Sequence, residues 1–555
     1  MFDHTKYRPF AAIPKANRQW PANTIQSAPI WCAVDLRDGN QALIEPMNVS
    51  QKQKMWQLLV DLGFKDIEVG FPSASQTDFD FVRWLIEENQ IPEDVTIQVL
   101  VQARDELIER TYESLKGAKR AIVHVYNSTS PVQRNKVFNL DKQGIIDIAV
   151  KGAQKVASEA VKYPETQWTF QYSPESFSST ETDFAIDVCN AVINVWQPTP
   201  ENKAIINLPA TVECAGPNVF ADQVETFCEN VNNRESLIIS IHTHNDRGCA
   251  VAAAELSLLA GADRIEGTLM GNGERTGNMD LITMAMNLYS QGIDPKVDLS
   301  DATRITRTVE ECTNIPTHAR HPWVGDLVYT AFSGSHQDAI KKCLAVQKDD
   351  VPWDVAYLPI DPKDLGRNYQ SVIRVNSQSG KGGVAYILEH EFGIQLPRWM
   401  QIDVSQKVQA ASEGKGEMSS QEIFDIFHAA YSSHQAPLAV IDYDIQAKSS
   451  DAGKTMHIQL QNQHETFSIE SHSDGALEAF CQGLSKHLGV SLDIIQYNQS
   501  SLGEHTQASA LACVELSVAG HPFKACAQDN DSLKASFMAI ITACNQHLNS
   551  EVIAA

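Results

Sequence analysis

At 555 residues and 43% hydrophobic content the chain exceeds what one core usually serves, so about two to four domains are expected. Its 44 Lys and Arg against 69 Asp and Glu leave a net charge of −25, which repels phosphate backbones and argues against nucleic acid as a partner. Eleven scattered cysteines with no Cys-x-x-Cys point to reduced, buried thiols. The N-terminus has no signal-peptide layout and no run of about eighteen apolar residues occurs anywhere, so a cytoplasmic protein with no membrane partner is expected.

In chain order, β-rich runs begin at Ile30, Asp66, Thr96, Ala121, Trp168, Ala204, Leu237 and Arg264. Between them lie stretches with apolar residues at helical spacing, such as "SQKQKMWQLLVDLGF" and "GCAVAAAELSLLAGA". Eight βα units of this length predict an α/β fold, a (β/α)8 TIM barrel whose chemistry sits on the loops after the strands.

The seventh run, "LIISIHTHNDRG", ends in His242 and His244. Alternate residues of a strand share a face, which sets these two about 7 Å apart, within reach of one metal ion. The other strand ends supply partners: Arg37 and Asp38 on the first, His124 on the fourth, Glu175 on the fifth, Asn207 and Thr211 on the sixth, and Glu274, Arg275 and Asn278 on the eighth. Asp38 with the two histidines makes a two-His, one-carboxylate set, which leaves positions open for substrate and water. "GNGERTG" lacks nucleotide-loop spacing, and "SGKGG" around Lys381 reads as a tight turn.

"DLRDGNQ", "HTHND" and "GNGERTGN", in this order, resemble the acyl-CoA-condensing metalloenzymes that include 2-isopropylmalate, homocitrate and citramalate synthases. "YSPESFS", "NLPATVE", "FSGSHQDAI", "YLPIDPKDLGR" and "IRVNSQSGKGG" extend the resemblance over the whole chain, toward the longer type of 2-isopropylmalate synthase. It implies condensation of acetyl-CoA with 3-methyl-2-oxobutanoate and hydrolysis of the thioester, the first step of leucine biosynthesis, with a citramalate or homocitrate synthase as the alternative. Asp38, His242 and His244 would hold a divalent metal, Mg²⁺, Mn²⁺ or Zn²⁺, with Asn278 at or near its shell. Arg37 would face the reacting carbonyl, Glu175 and His336 would share acid/base work, and Tyr357 would lie near the base. Leu100, His124, Ser173, Asn207, Pro209, Thr211 and Arg275 would bind substrate. His336 and Tyr357 would reach into a partner's bowl, so a homodimer is expected.

An amidohydrolase is the competing enzyme class, but it carries His-x-His on its first strand, whereas here the pair is on the seventh. A non-catalytic amino-acid sensor has no use for the assembled ligand and acid/base set.

The expected boundaries are an N-terminal extension over 1–27, the barrel over 28–316, a helical linker over 317–436 and a C-terminal α+β domain over 437–555. Ser419 and Glu422 have capping-box spacing and predict a helix start. "MHIQLQNQHETFSIESHSDGALEAFCQGL" and "CVELSVAGHPFKACAQDNDSLKASFMAII" each read as a ββα unit, with Asp474 and Phe480 matched by Asp531 and Phe537. By the resemblance this domain binds leucine as feedback inhibitor. The "GNGP" turn expected there is replaced by "SHSDGA", which predicts weakened inhibition.

Overall fold

The computed structural model describes residues 4–8, 10–367, 381–413, 415, 417–434, 436–447, 454–463, 465–502 and 509–554. They form two compact units, Met1–Val328 with Lys363–Arg367, and Tyr329–Pro362 with Asn368–Ala555.

The first unit is a closed parallel barrel of β1 (Ile30–Ala33), β2 (Asp66–Gly70), β3 (Thr96–Gln102), β4 (Arg120–Ser128), β5 (Gln167–Glu175), β6 (Ala204–Ala210), β7 (Leu237–Thr243) and β8 (Arg264–Gly267). β1 closes it by pairing with both β2 and β8. Each strand starts within one residue of its expected run, because a parallel strand covered on both faces must be continuously apolar. β6 is buried along its whole length.

Two loops at the C-terminal ends of the strands are built by backbone geometry. After β1 the chain makes one wide turn, Asp35–Gly39, in which Val34 O accepts from both Arg37 N and Gly39 N. Leu269 N donates to Asp35 and Asn272 donates to Gly39 O, each at 2.9 Å, tying that turn to the segment after β8. The "GNGERTGN" glycines permit a tight fold-back rather than a phosphate cradle. Gly277 has φ +95°, and a Cβ there would stand 1.9 Å from Gly271 O.

The second unit contains helices Gly334–Val346, Lys381–Phe392, Arg398–Ser412 and Ser420–Tyr431. Ser419 and Glu422 make the reciprocal capping box. The turn expected around Lys381 is instead the start of a helix, because the apolar run Val384–Leu388 is buried and the glycines fall in the helix's first turn, where they cost little. Residues 373–380 of "IRVNSQSGKGG" lie outside the described residues.

The C-terminal repeat holds, and each half carries one further strand before its hairpin. β9 (Leu438–Ala447), β10 (Lys454–Asn462) and β11 (Glu465–Ser473) lead to helix Ala476–Leu488, and β12 (Leu492–Leu502), β13 (Ser509–Val518) and β14 (His521–Asp529) to helix Ser532–Ala554. Phe480 and Phe537, the matched positions, meet with ring centroids 4.7 Å apart in one shared core. Among the described residues no helix is long and apolar enough to cross a membrane.

Candidate active site

The strand ends converge on a bowl of about 170 Å³ lined by Arg37, Asp38, Leu100, His124, Ser173, Glu175, Asn207, Pro209, Thr211, His242, His244 and Arg275, with Gln41, Phe71, Tyr126 and Glu274. Twelve of the fifteen site residues expected from the sequence are therefore in one cavity. Asn278 stands beside it, bridged through its backbone to His244. His336 and Tyr357 belong to the second unit, where their rings stack at 4.0 Å.

At the floor, Asp38, His242 and His244 each present one donor atom, all within 4.8 Å of one another, and all three residues are buried. Asp38 Oδ2 lies 3.5 Å from His242 Nε2 and 3.6 Å from His244 Nε2, and has no hydrogen-bond partner among the described residues. A carboxylate oxygen aimed at two imidazole nitrogens beyond hydrogen-bonding distance is suited to a shared cation, and these residues fit one. Asn278 Oδ1 is likewise buried without a partner.

The electrostatics agree. Burial opposes charge on Asp38, but Arg37 and the two histidines hold its carboxyl well below the usual range. Burial also works against a charged His242, yet Asp38 and Glu266 push it up to about 9. Burial and the neighbouring His242 push His244 down to about 4. The Asp38 carboxylate, kept ionised beside two imidazoles, is the charged donor that a cation site needs.

Two buried chains of hydrogen bonds, not foreseen from the sequence, orient these groups. His242 Nδ1 bonds Glu266 Oε2 at 3.0 Å, which turns Nε2 toward Asp38. Glu266 also accepts from Gln171 and Arg264, and Arg264 reaches Gln98 at 2.8 Å and Asp66 at 2.9 Å. A carboxylate behind a histidine fixes its tautomer and raises its basicity as a ligand. In the second chain Glu68 bonds Arg37 and, at 2.8 Å, His124 Nδ1. His124 Nε2 meets Ser173 Oγ at 2.7 Å, and Asn207 donates to the same hydroxyl at 3.0 Å. Both ring nitrogens of His124 are thus engaged within the protein. Asn207 Oδ1 is buried with no partner among the described residues and remains as an acceptor.

At the rim, Ser128 Oγ donates to Glu175, and Arg275 donates to Asp246 at 2.6 Å and to Thr211 O. Leu100, Phe71 and Pro209 give the wall an apolar sector. Glu68 and Glu266 did leave a signal, since Glu68 stands between Ile67 and Val69 in β2 and Glu266 follows Ile265 in β8, and a charge buried in such a run needs a partner.

A barrel with its donors on this face defines a class. The HMGL-like family model matches residues 28–309 and places the chain among those barrel enzymes. Models described as the alpha-isopropylmalate synthase post-catalytic domain-like family and the LeuA allosteric (dimerisation) domain match residues 326–389 and 417–548. The 2-isopropylmalate synthase of Pseudomonas putida (strain W619) is 55% identical over 548 residues, 98% of each chain. That of Alcanivorax borkumensis SK2 is 54% identical over 556 residues, covering 100% of this chain and 99% of its own. Among solved structures, the HMG-CoA lyase of Bacillus subtilis is similar over 53% of this chain and 96% of its own, with 20% identity and a TM-score of 0.42. The chain belongs to the 2-isopropylmalate synthase family.

Proposed function

We propose that the chain condenses acetyl-CoA with 3-methyl-2-oxobutanoate and hydrolyses the resulting thioester, giving 2-isopropylmalate and CoA. The observation that carries this reading is one bowl holding the Asp38, His242 and His244 donors, the Arg37 guanidinium and an apolar wall at Leu100 and Pro209.

Asp38, His242 and His244 would hold a divalent metal, Mg²⁺, Mn²⁺ or Zn²⁺, with Asn278 beside them, and such a metal would supply Lewis-acid polarisation of the keto acid's carbonyl. Arg37, pinned between Asp38 and Glu68, places a fixed positive charge where the former carbonyl oxygen becomes negative. His336, with Tyr357 against it, removes a proton from the acetyl methyl group. The new carbon–carbon bond forms to the keto carbon, the alkoxide takes a proton from the Glu175 and His336 system, and water then releases the CoA thiol. Leu100, Pro209 and Thr211 receive the isopropyl group, Ser173 and Asn207 line the same side, Arg275 completes the substrate contacts, and His124, held between Glu68 and Ser173, acts on the substrate through the Ser173 hydroxyl. A second carboxylate, as homocitrate synthesis requires, meets no cation at Leu100.

The test is thiol release from acetyl-CoA with a panel of 2-keto acids. Preference for 3-methyl-2-oxobutanoate, abolished together with bound metal in Asp38→Ala, supports the reading; release with another keto acid alone replaces it.

The barrel over 28–316, linker over 317–436 and C-terminal domain over 437–555 divide catalysis from control. Leucine is the proposed effector, recognised near Ser471–Gly475 and Gln528–Asp531, where β11 and β14 end and the helices after them begin. Asp531 already accepts from Leu533 N and Lys534 N at the start of its helix, and Asp474 adds negative charge at the other turn. Both oppose a carboxylate ligand, so inhibition is weak. A leucine titration of the full chain and of a chain ending near residue 435 checks this. Micromolar inhibition contradicts the weakening, and inhibition that survives truncation removes the domain as sensor.

A further inference from the structure

Lys52 stands one turn into helix Val49–Asp61, with its side chain 1% exposed. A lysine is almost never buried this far without specific partners. Its ammonium donates to Asp78 Oδ1 at 2.7 Å and to the Leu36 carbonyl at 3.3 Å, and lies 5.4 Å from the centre of the Phe81 ring. The other oxygen of Asp78 accepts from Phe71 N at 2.8 Å. Gly70 makes this approach possible, since a Cβ there would stand 2.8 Å from the Asp78 carboxyl.

One buried cation thus joins two loops of the bowl. Leu36 belongs to the turn Asp35–Gly39 that carries Arg37 and Asp38, and Phe71 lines the cavity. The same turn is tied on its other side to the segment after β8, through Asp35 with Leu269 N and Gly39 O with Asn272. Lys52 is its anchor on the β2 side.

We propose that Lys52 is a positioning residue, holding the turn so that Arg37 and Asp38 keep their aim into the bowl; this rests on the roles given to those two residues above. A buried pair can also serve only to neutralise its own charges, and the two roles separate in a double variant. Lys52→Met alone leaves Asp78 buried and unpaired and lowers the urea midpoint. Lys52→Met with Asp78→Asn removes both charges, keeps an acceptor for Phe71 N, and loses the links from Lys52 to Leu36, Asp78 and the Phe81 ring.

The expected result is that the double variant recovers most of the urea midpoint, while kcat and Mn²⁺ affinity each stay down by about ten-fold or more, the size of effect that loss of an outer support has at a metal site. Amide exchange in the peptide 34–41 quickens, and the KM for the keto acid moves less than about three-fold, as fits loss of aim rather than of substrate binding. A double variant with wild-type kcat, Mn²⁺ affinity and exchange overturns the proposal and leaves Lys52 as the counter-charge of Asp78. Slower turnover with unchanged exchange and Mn²⁺ affinity overturns it as well. Exchange and Mn²⁺ binding need no substrate, so a wild-type enzyme inactive on every keto acid defeats the functional reading and still leaves Lys52 judged by those two measurements.

Discussion

Asp35, three residues before Asp38, is buried, with Oδ1 accepting from Leu269 N and Oδ2 without a partner among the described residues. Burial, aided by the nearby Asp280, pushes its carboxyl up to about 8. The folded protein therefore keeps a proton that the unfolded chain releases near pH 4, so this group's stabilising contribution is full below about pH 4 and is lost as pH rises toward 8. Asp35→Asn retains the acceptor for Leu269 N and cannot ionise. Thermal melts of metal-stripped protein are expected to show the variant gaining on wild type by a margin that widens between pH 5 and 8. A margin independent of pH means that Asp35 ionises normally.

At the scale of elements, helix Ala476–Leu488 lies close against β11, and the approach is made at Gly483. A Cβ there would come 2.3 Å from Cγ2 of Ile469, a branched methyl with little freedom to move. Alanine gains about 1 kcal/mol of helix propensity over glycine, while a forced contact of this kind costs about 1–3 kcal/mol. Gly483→Ala is therefore expected to be destabilising on balance, seen as faster amide exchange in β11 and an earlier urea transition. A more stable variant shows that the helix can lift without penalty. The same packing gives the repeat its shared core, since helix Ser532–Ala554 packs on β13 and β14 and also on β9 of the first half.

For the whole molecule, the stacked pair His336 and Tyr357 lies in the second unit and the cluster of Asp38, His242 and His244 in the first. Each chain of a dimer is proposed to lend its pair to the other chain's bowl. Mixing inactive His336→Ala chains with inactive Asp38→Ala chains is then expected to restore activity, because a hybrid dimer contains one intact site, up to about a quarter of wild type for random pairing. No recovery after subunit exchange, verified by mass spectrometry, assigns the pair to its own chain's bowl.

The sequence by itself determined the barrel and most of the residues that line the bowl. Eight short apolar runs alternating with helical patterns read as strands covered on both faces, and His242 ends one such run while Asp38 and His244 follow theirs within a few residues, at a position the barrel topology makes common. It did not disclose β9, whose side chains are largely half-buried or exposed, or β12, where polar residues cover the exposed face. Tertiary structure alone decided the supports beneath the site. Glu266 behind His242, Arg264 on Asp66, His124 against Glu68, and Lys52 between Leu36 and Asp78 join residues 16 to 198 positions apart. A buried charge announces in sequence that it needs a partner, but which partner it finds is set by closure of the barrel, which brings distant strands within hydrogen-bond reach.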